Sequence, residues 1–168
     1  MRNMKFMAVN ELEHFNFRDA VIHSFQVDSK LRTIRLELEA VIVTPDNSQN
    51  SNSTYSYAGD LYMRFIGAHL QKGVKEGYKY FDANDVLIEE IPDTPLSLPE
   101  MDALLKGLEG AYMWNMTKVE DAQNDTGHFL YLMGIDLDDE DNTTYWLQIE
   151  FDKVIMEWDK YMNRVEMI

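Results

Sequence analysis

The feature that most narrows the fold is a strict two-residue alternation. From Leu31 to Ala40 the chain reads Leu-Arg-Thr-Ile-Arg-Leu-Glu-Leu-Glu-Ala, so Ile34, Leu36, Leu38 and Ala40 fall on one side and charged residues on the other. Side chains of a strand point alternately to opposite faces, so the pattern defines a half-buried β-strand and does not fit a helix of 3.6-residue period. The same parity recurs in Leu61-Tyr62-Met63-Arg64-Phe65 and Leu147-Gln148-Ile149-Glu150-Phe151, which match position for position. Each follows a tyrosine and a polar loop that comes after an earlier strand. The likeness points to two related hairpin units, over residues 17–70 and 112–160, arranged as one antiparallel sheet or as two facing sheets.

The segments between the strands carry their own signals. Val41-Ile42-Val43-Thr44 is apolar on both faces and is expected to be covered on both sides, and Pro45 ends it. Asp46 to Thr54 is wholly polar, which predicts a mobile hairpin loop. Gly77 to Ile91 reads as a second hairpin turning at Asp82-Ala83-Asn84-Asp85. Pro92, Pro95 and Pro99 then force an extended crossing, because proline lacks an amide donor and biases its predecessor away from helix. Ser97-Leu98-Pro99-Glu100 has the form of a capping box, with Met101, Leu104, Leu105 and Leu108 following at helical spacing as far as Gly107 or Gly110. Strands follow at Gly110–Val119, Phe129–Leu137 and Tyr145–Trp158. The expected fold is therefore α+β: mainly antiparallel strands with one central helix, in a single domain spanning residues 1–168.

Composition removes several classes of function. The 168 residues include 30 acidic and 15 basic ones, a net charge of −15. Such a chain repels phosphate backbones and anionic headgroups, and it has no basic stripe, so neither nucleic acid nor a membrane is an expected partner. The absence of cysteine removes disulfides, thiolate metal sites and thiol nucleophiles. The N-terminal segment reaches Glu11 and Glu13 before an apolar run of signal-peptide length develops, and the expected location is the bacterial cytoplasm. No phosphate-binding glycine loop, dinucleotide fingerprint or nucleophile elbow is present, and no cofactor is expected.

Three local patterns invite chemistry. Asp125-Thr126-Gly127 matches the aspartic-protease tripeptide but sits in a polar, turn-like context without a second copy. Asp136-Leu137-Asp138-Asp139-Glu140-Asp141 offers a calcium-like density of carboxylates, yet the sixth position is Asp141 rather than glycine and the twelfth is Leu147 rather than an acid. Among four scattered histidines, His23 stands out, because Val21, His23, Phe25 and Val27 would share one strand face. Asp19, Asp28 or Glu13 could orient its imidazole as a general base, which defines an alternative site of His23 with Asp19 for a small-molecule binder or hydrolase.

A minimal core does not account for the aromatic and methionine excess of the last third. Tyr112, Trp114, Trp146 and Trp158, together with Asp138, Asp139 and Asp141, form the candidate binding set. Large amphipathic side chains are enriched in interface centres, and an acidic rim suits a basic protein partner or a homodimer seam. Phe17-Arg18-Asp19-Ala20-Val21-Ile22, the Ile34–Ala40 strand, the Pro45–Asn50 loop and the Leu61–Phe65 strand resemble small uncharacterised bacterial proteins of the polymorphic-toxin-immunity type, in which a Phe-x-Asp-x-x-Ile entrance precedes amphipathic strands. The resemblance covers about the first 70 residues. It implies a non-enzymatic, immunity-like binding role and carries no site residues with it.

Overall fold

Strand alternation dominates the computed structural model, which describes residues 4–119, 128–139 and 143–164. Its strands are β1 (Phe6–Val9), β2 (Phe15–Asn16), β3 (Val21–Asp28), β4 (Thr33–Glu39), β5 (Ile42–Val43), β6 (Ser56–Ala58), β7 (Leu61–Ile66) and β8 (His69–Lys75). They continue with β9 (Tyr78–Phe81), β10 (Leu87–Ile91), β11 (Thr94–Pro95), β12 (Tyr112–Lys118), β13 (Phe129–Asp136), β14 (Thr144–Phe151), β15 (Lys153–Trp158) and β16 (Tyr161–Arg164). One α-helix, α1 (Leu98–Lys106), stands among the described residues. The fold is α+β and mainly antiparallel.

Ten strands form one sheet in the order β1-β15-β7-β4-β3-β12-β13-β14-β8-β11. Each half contributes three neighbours, β3-β4-β7 and β12-β13-β14, and the halves meet where Tyr112 pairs with Val21. The strand after each triplet crosses over: β8 pairs with β14, and β15 pairs with β7. The sheet curls on itself, since Phe65 of β7 and Phe151 of β14 bring their ring centroids to 4.9 Å. Leu61, Met63 and Phe65 on β7 and Leu147, Ile149 and Phe151 on β14 all lie in the core.

The corner between β14 and β15 is a single residue, Asp152, so the long strand expected over Tyr145–Trp158 is two strands belonging to opposite halves. The Asp152 amide donates to the Ile66 carbonyl at 2.9 Å. Gly67, at φ +63°, turns β7 into β8 directly against the Asp152 side chain, a place where a Cβ would collide.

The helix follows its sequence signals. Ser97 accepts from the Glu100 amide, the Glu100 carboxylate accepts from the Ser97 amide, and Gly107 ends the helix. Met101, Leu104 and the following Leu108 are buried, while Asp102, Leu105 and Lys106 line a groove beside β3.

A second sheet, β16-β6-β5-β2, stands beside an aromatic cluster at the β1–β15 end. Trp158 lies at the centre of that cluster, 5.6 Å from Phe6 and Phe15 and 6.0 Å from Tyr161 by ring centroids. It is 0% exposed, which removes it from the candidate binding set: this end of β15 runs through the interior rather than along the outer face. Its indole N–H is buried with no acceptor in hydrogen-bonding geometry among the described residues. Burial pushes the Tyr161 hydroxyl upward in pKa. That hydroxyl donates to the Gln49 carbonyl at 2.7 Å.

The Asp46–Thr54 loop is fastened rather than loose. Asn47 is buried and donates to the His14 carbonyl at 2.9 Å, and Asn50 donates to the carbonyls of Thr44 and Thr54 at 3.0 and 2.8 Å. Glu11 receives the Ser48 amide at 2.9 Å and its hydroxyl as well. Polar composition signals a loop, but side-chain amides that satisfy backbone carbonyls fix its shape.

Candidate interaction surface

The residues expected to form a binding face separate into several places. Tyr112 and Trp114 lie on the outer face of β12, each 37% exposed, and Trp146 is half-buried on the outer face of β14. Gly134 of β13 lies between the two tryptophans; a Cβ there would come within 2.9 Å of Trp146 and 3.0 Å of Trp114. Only glycine lets both indoles lie across the sheet surface at this point. The row continues through Val74 of β8, opposite Trp146, to Pro95 of β11 at the sheet edge. At its other end the Arg18 guanidinium stacks over Trp114, 4.5 Å from the ring centroid, a cation–π contact of about 0.5–2 kcal/mol.

Asp138 and Asp139 belong to the turn between β13 and β14, and Asp141 lies outside the described residues. Their neighbourhood carries ordinary turn chemistry: Asp139 accepts the Thr143 amide at 3.1 Å, and Asp136 accepts the Thr144 hydroxyl at 2.5 Å. Among the described residues no group of three or more histidine, aspartate or glutamate side chains could hold a metal ion. The Asp125-Thr126-Gly127 tripeptide also falls outside the described residues.

The structure corrects the expected surroundings of His23. The pairing of β3 with β4 slips between Ile22 and Ser24, so His23 occupies a β-bulge. The bulge shifts the parity: Ile22 faces the core before it, Phe25 and Val27 lie opposite buried Leu36 and Ile34 after it, and His23 points outward. Its side chain is 47% exposed and pairs with Glu39 at 2.8 Å rather than with Asp19. Asp19, at φ +66°, forms the sharp turn before β3, with its amide donating to the Met113 carbonyl at 2.9 Å. Ser24 donates to Glu37 at 3.4 Å, on the same face of β4 as Glu39, and makes no hydrogen bond with the imidazole among the described residues. The Phe-x-Asp-x-x-Ile entrance thus makes a corner, with Phe17, Ala20 and Ile22 buried beneath it.

Tyr131 supplies no base either. Its hydroxyl donates to Glu13 at 3.3 Å, and burial, reinforced by the Glu13 charge, pushes its pKa up to about 12.

A run of exposed apolar side chains stands on a segment the sequence presents only as a hairpin. Among the described residues, strands β9 and β10 pair only with each other, outside both sheets. All their residues are exposed. Tyr78 and Tyr80 share one face with Ile91, Phe81 and Leu87 share the other, and Val86 and Ile88 stand near the tip. The tyrosine ring centroids are 4.8 Å apart. Tyr78, Tyr80 and Ile91 look across a groove of about 560 Å³ toward Thr143 and Thr144 at the start of β14. The arm leaves the large sheet between β8 and β11, the strands on which the tryptophan row ends.

This geometry defines a class, a curled antiparallel sheet with an exposed apolar arm and an outer aromatic row. Comparison of the chain with known protein families, curated proteins and solved structures returns no match.

Proposed function

We propose that the chain is a non-enzymatic binding protein of the bacterial cytoplasm that presents acidic and aromatic surface to a basic protein partner. The observation that carries this reading is the arm. It holds seven large apolar side chains between Tyr78 and Ile91 that are 39–66% exposed. Contiguous exposed apolar surface on a soluble protein marks interaction sites far better than scattered single residues do. The row of Tyr112, Trp114 and Trp146 adds the residue types that dominate interface energetics. A net charge of −15 favours encounter with a basic protein, and an immunity-like role, in which acidic surface masks a partner's basic site, fits the same chemistry. The absence of a helix long and apolar enough to cross a membrane, among the described residues, is consistent with this setting.

The test is capture by the tagged chain from native-host lysate at low and high salt, with the solution mass of the bait measured alongside. A basic protein recovered stoichiometrically at low salt, weakened at high salt and lost with Trp114→Ser/Trp146→Ser, supports the reading. Recovery of the bait alone, as a monomer or as a dimer closed on its own aromatic surface, overturns it.

A further inference from the structure

We propose that the β9–β10 arm is a docking element that takes an extended, lysine- or arginine-bearing segment of a partner protein as a third strand. The inference rests on the protein-binding reading and specifies its site and partner chemistry. A two-stranded ribbon is at best marginally stable in water, and a third strand with apolar contacts is what such a ribbon lacks. Beyond the ladder that joins β9 to β10, each strand keeps an outer edge for main-chain pairing of the kind used when a peptide adds to a sheet. The large sheet offers less at its β11 edge, which is two residues long and includes Pro95, a residue with no N–H to donate.

The register dictates what the added strand should look like. On one face Tyr78 is opposite Ile91 and Tyr80 is opposite Glu89; on the other Phe81 is opposite Leu87 and Lys79 is opposite Glu90. The tyrosine face therefore sets apolar side chains beside the Glu89 carboxylate, while on the other face the Glu90 carboxylate is shared with Lys79. An incoming strand covers the apolar positions with its own apolar residues and brings cations to the carboxylates. Charge selects the occupant: from Glu76 to Asp93 there are six carboxylates and one lysine, a net −5, and that lysine already pairs with Glu90 at 3.6 Å. A second copy of the chain would set −5 against −5, and an anionic bilayer would be repelled in the same way. A cationic strand gains where both of those lose. The groove between the tyrosine face and Thr143–Thr144 has room for the side chains of such a segment.

The probe is a fluorescein-labelled octapeptide of alternating lysine and valine, read by anisotropy against the full chain, with the glutamate–valine octapeptide as its counterpart. The expected result is binding of the lysine peptide alone, weakened about tenfold or more between about 50 and 300 mM salt and by Tyr80→Ser/Ile91→Ser. Amide exchange should slow at residues 78–81 and 87–91 on binding. Because these side chains are exposed, the variant should keep the parent's melting temperature, which is checked first. Absence of binding, equal affinity for the variant, or unchanged exchange in the arm overturns the proposal. So does a dimer that dissociates in the variant, or partition of the parent but not the variant into neutral phosphatidylcholine vesicles. If the lysate partner survives Tyr80→Ser/Ile91→Ser while the peptide fails to bind, the arm assignment falls and the wider binding reading stands.

Discussion

Truncating Phe151 to alanine tests whether the two halves of the sheet share one core. Phe151 is 1% exposed, and its ring lies 4.9 Å from Phe65, 5.5 Å from Phe129 and 5.6 Å from Tyr131. Burial-site Phe→Ala changes cost about 3–5 kcal/mol through lost transfer energy and the cavity left behind. Here the void would open into an existing pocket of about 40 Å³ bordered by Asn10, Glu13 and Lys118, whose polar groups can admit water. That places the expected loss in the lower part of the range, about 3–4 kcal/mol. Phe81→Ala provides the matched control. The same atoms leave a site that is 55% exposed, and the expected change is below about 0.5 kcal/mol. Urea titration followed by tryptophan fluorescence measures both, with an unchanged m-value confirming that only stability has moved. A loss under about 1 kcal/mol for Phe151→Ala, or an equal loss for Phe81→Ala, would refute the assignment of one residue to the shared core and the other to a solvated arm.

Gly67→Ala should cost about 1–3 kcal/mol from the left-handed backbone alone, with displacement of Asp152 added, because the turn at φ +63° leaves no space for a Cβ; a neutral substitution in the same titration would contradict the crossing of the two corners. Anchoring of the Asp46–Thr54 loop should peak in mildly acidic solution. Burial pushes the Glu11 carboxyl up, but hydrogen bonds from His14 and Ser48 outweigh it and hold the pKa below 4.5, so this contribution is present above pH 4.5 and is lost as pH falls through the folded value. The hydrogen bond with Glu11 raises His14 above 6.5 against the effect of burial, with Asp46 assisting, so that contribution is complete below pH 6.5 and is lost as pH rises through the folded value. Amide protection at Ser48 and Asn50 should be greatest between those limits, and a profile flat across both edges would count against the network.

What the sequence made legible was whatever depends on local periodicity. The β4 and β7 alternations, the β9–β10 hairpin and the α1 capping box need only a few neighbouring residues to declare themselves, and each appears in place. What it concealed were shifts of phase. A bulge at His23 turns a side chain expected among Val21, Phe25 and Val27 out to Glu39, because one inserted residue reverses the parity of everything beyond it. A second bulge, at Trp114, leaves Trp114 and Asn115 both exposed and brings Met116 opposite buried Met133. Neither has a glycine or proline to mark it.

The burial of Trp158 and the exposure of the arm escape the sequence for the same physical reason, seen from opposite sides. A strand covered on both faces and a strand exposed on both faces each read as apolar residues without clean alternation, so composition cannot separate interior from arm. Ile155 and Met156 stand next to each other in β15 and are both buried; Leu87 and Ile88 stand next to each other in β10 and are both exposed. The neighbours of each strand decide the outcome. β15 is sandwiched between β1 and β7, while β10 has only β9. One sequence signal does distinguish them: the consecutive acids Glu89-Glu90 put a carboxylate on each face of β10, whereas Glu157, the one acid within β15, leaves the face of Val154, Met156 and Trp158 without a charge. Carboxylates this dense beside apolar side chains cannot enter a core without large desolvation costs. An apolar hairpin edged with acid is therefore held in solvent, with its rings and its charge both exposed.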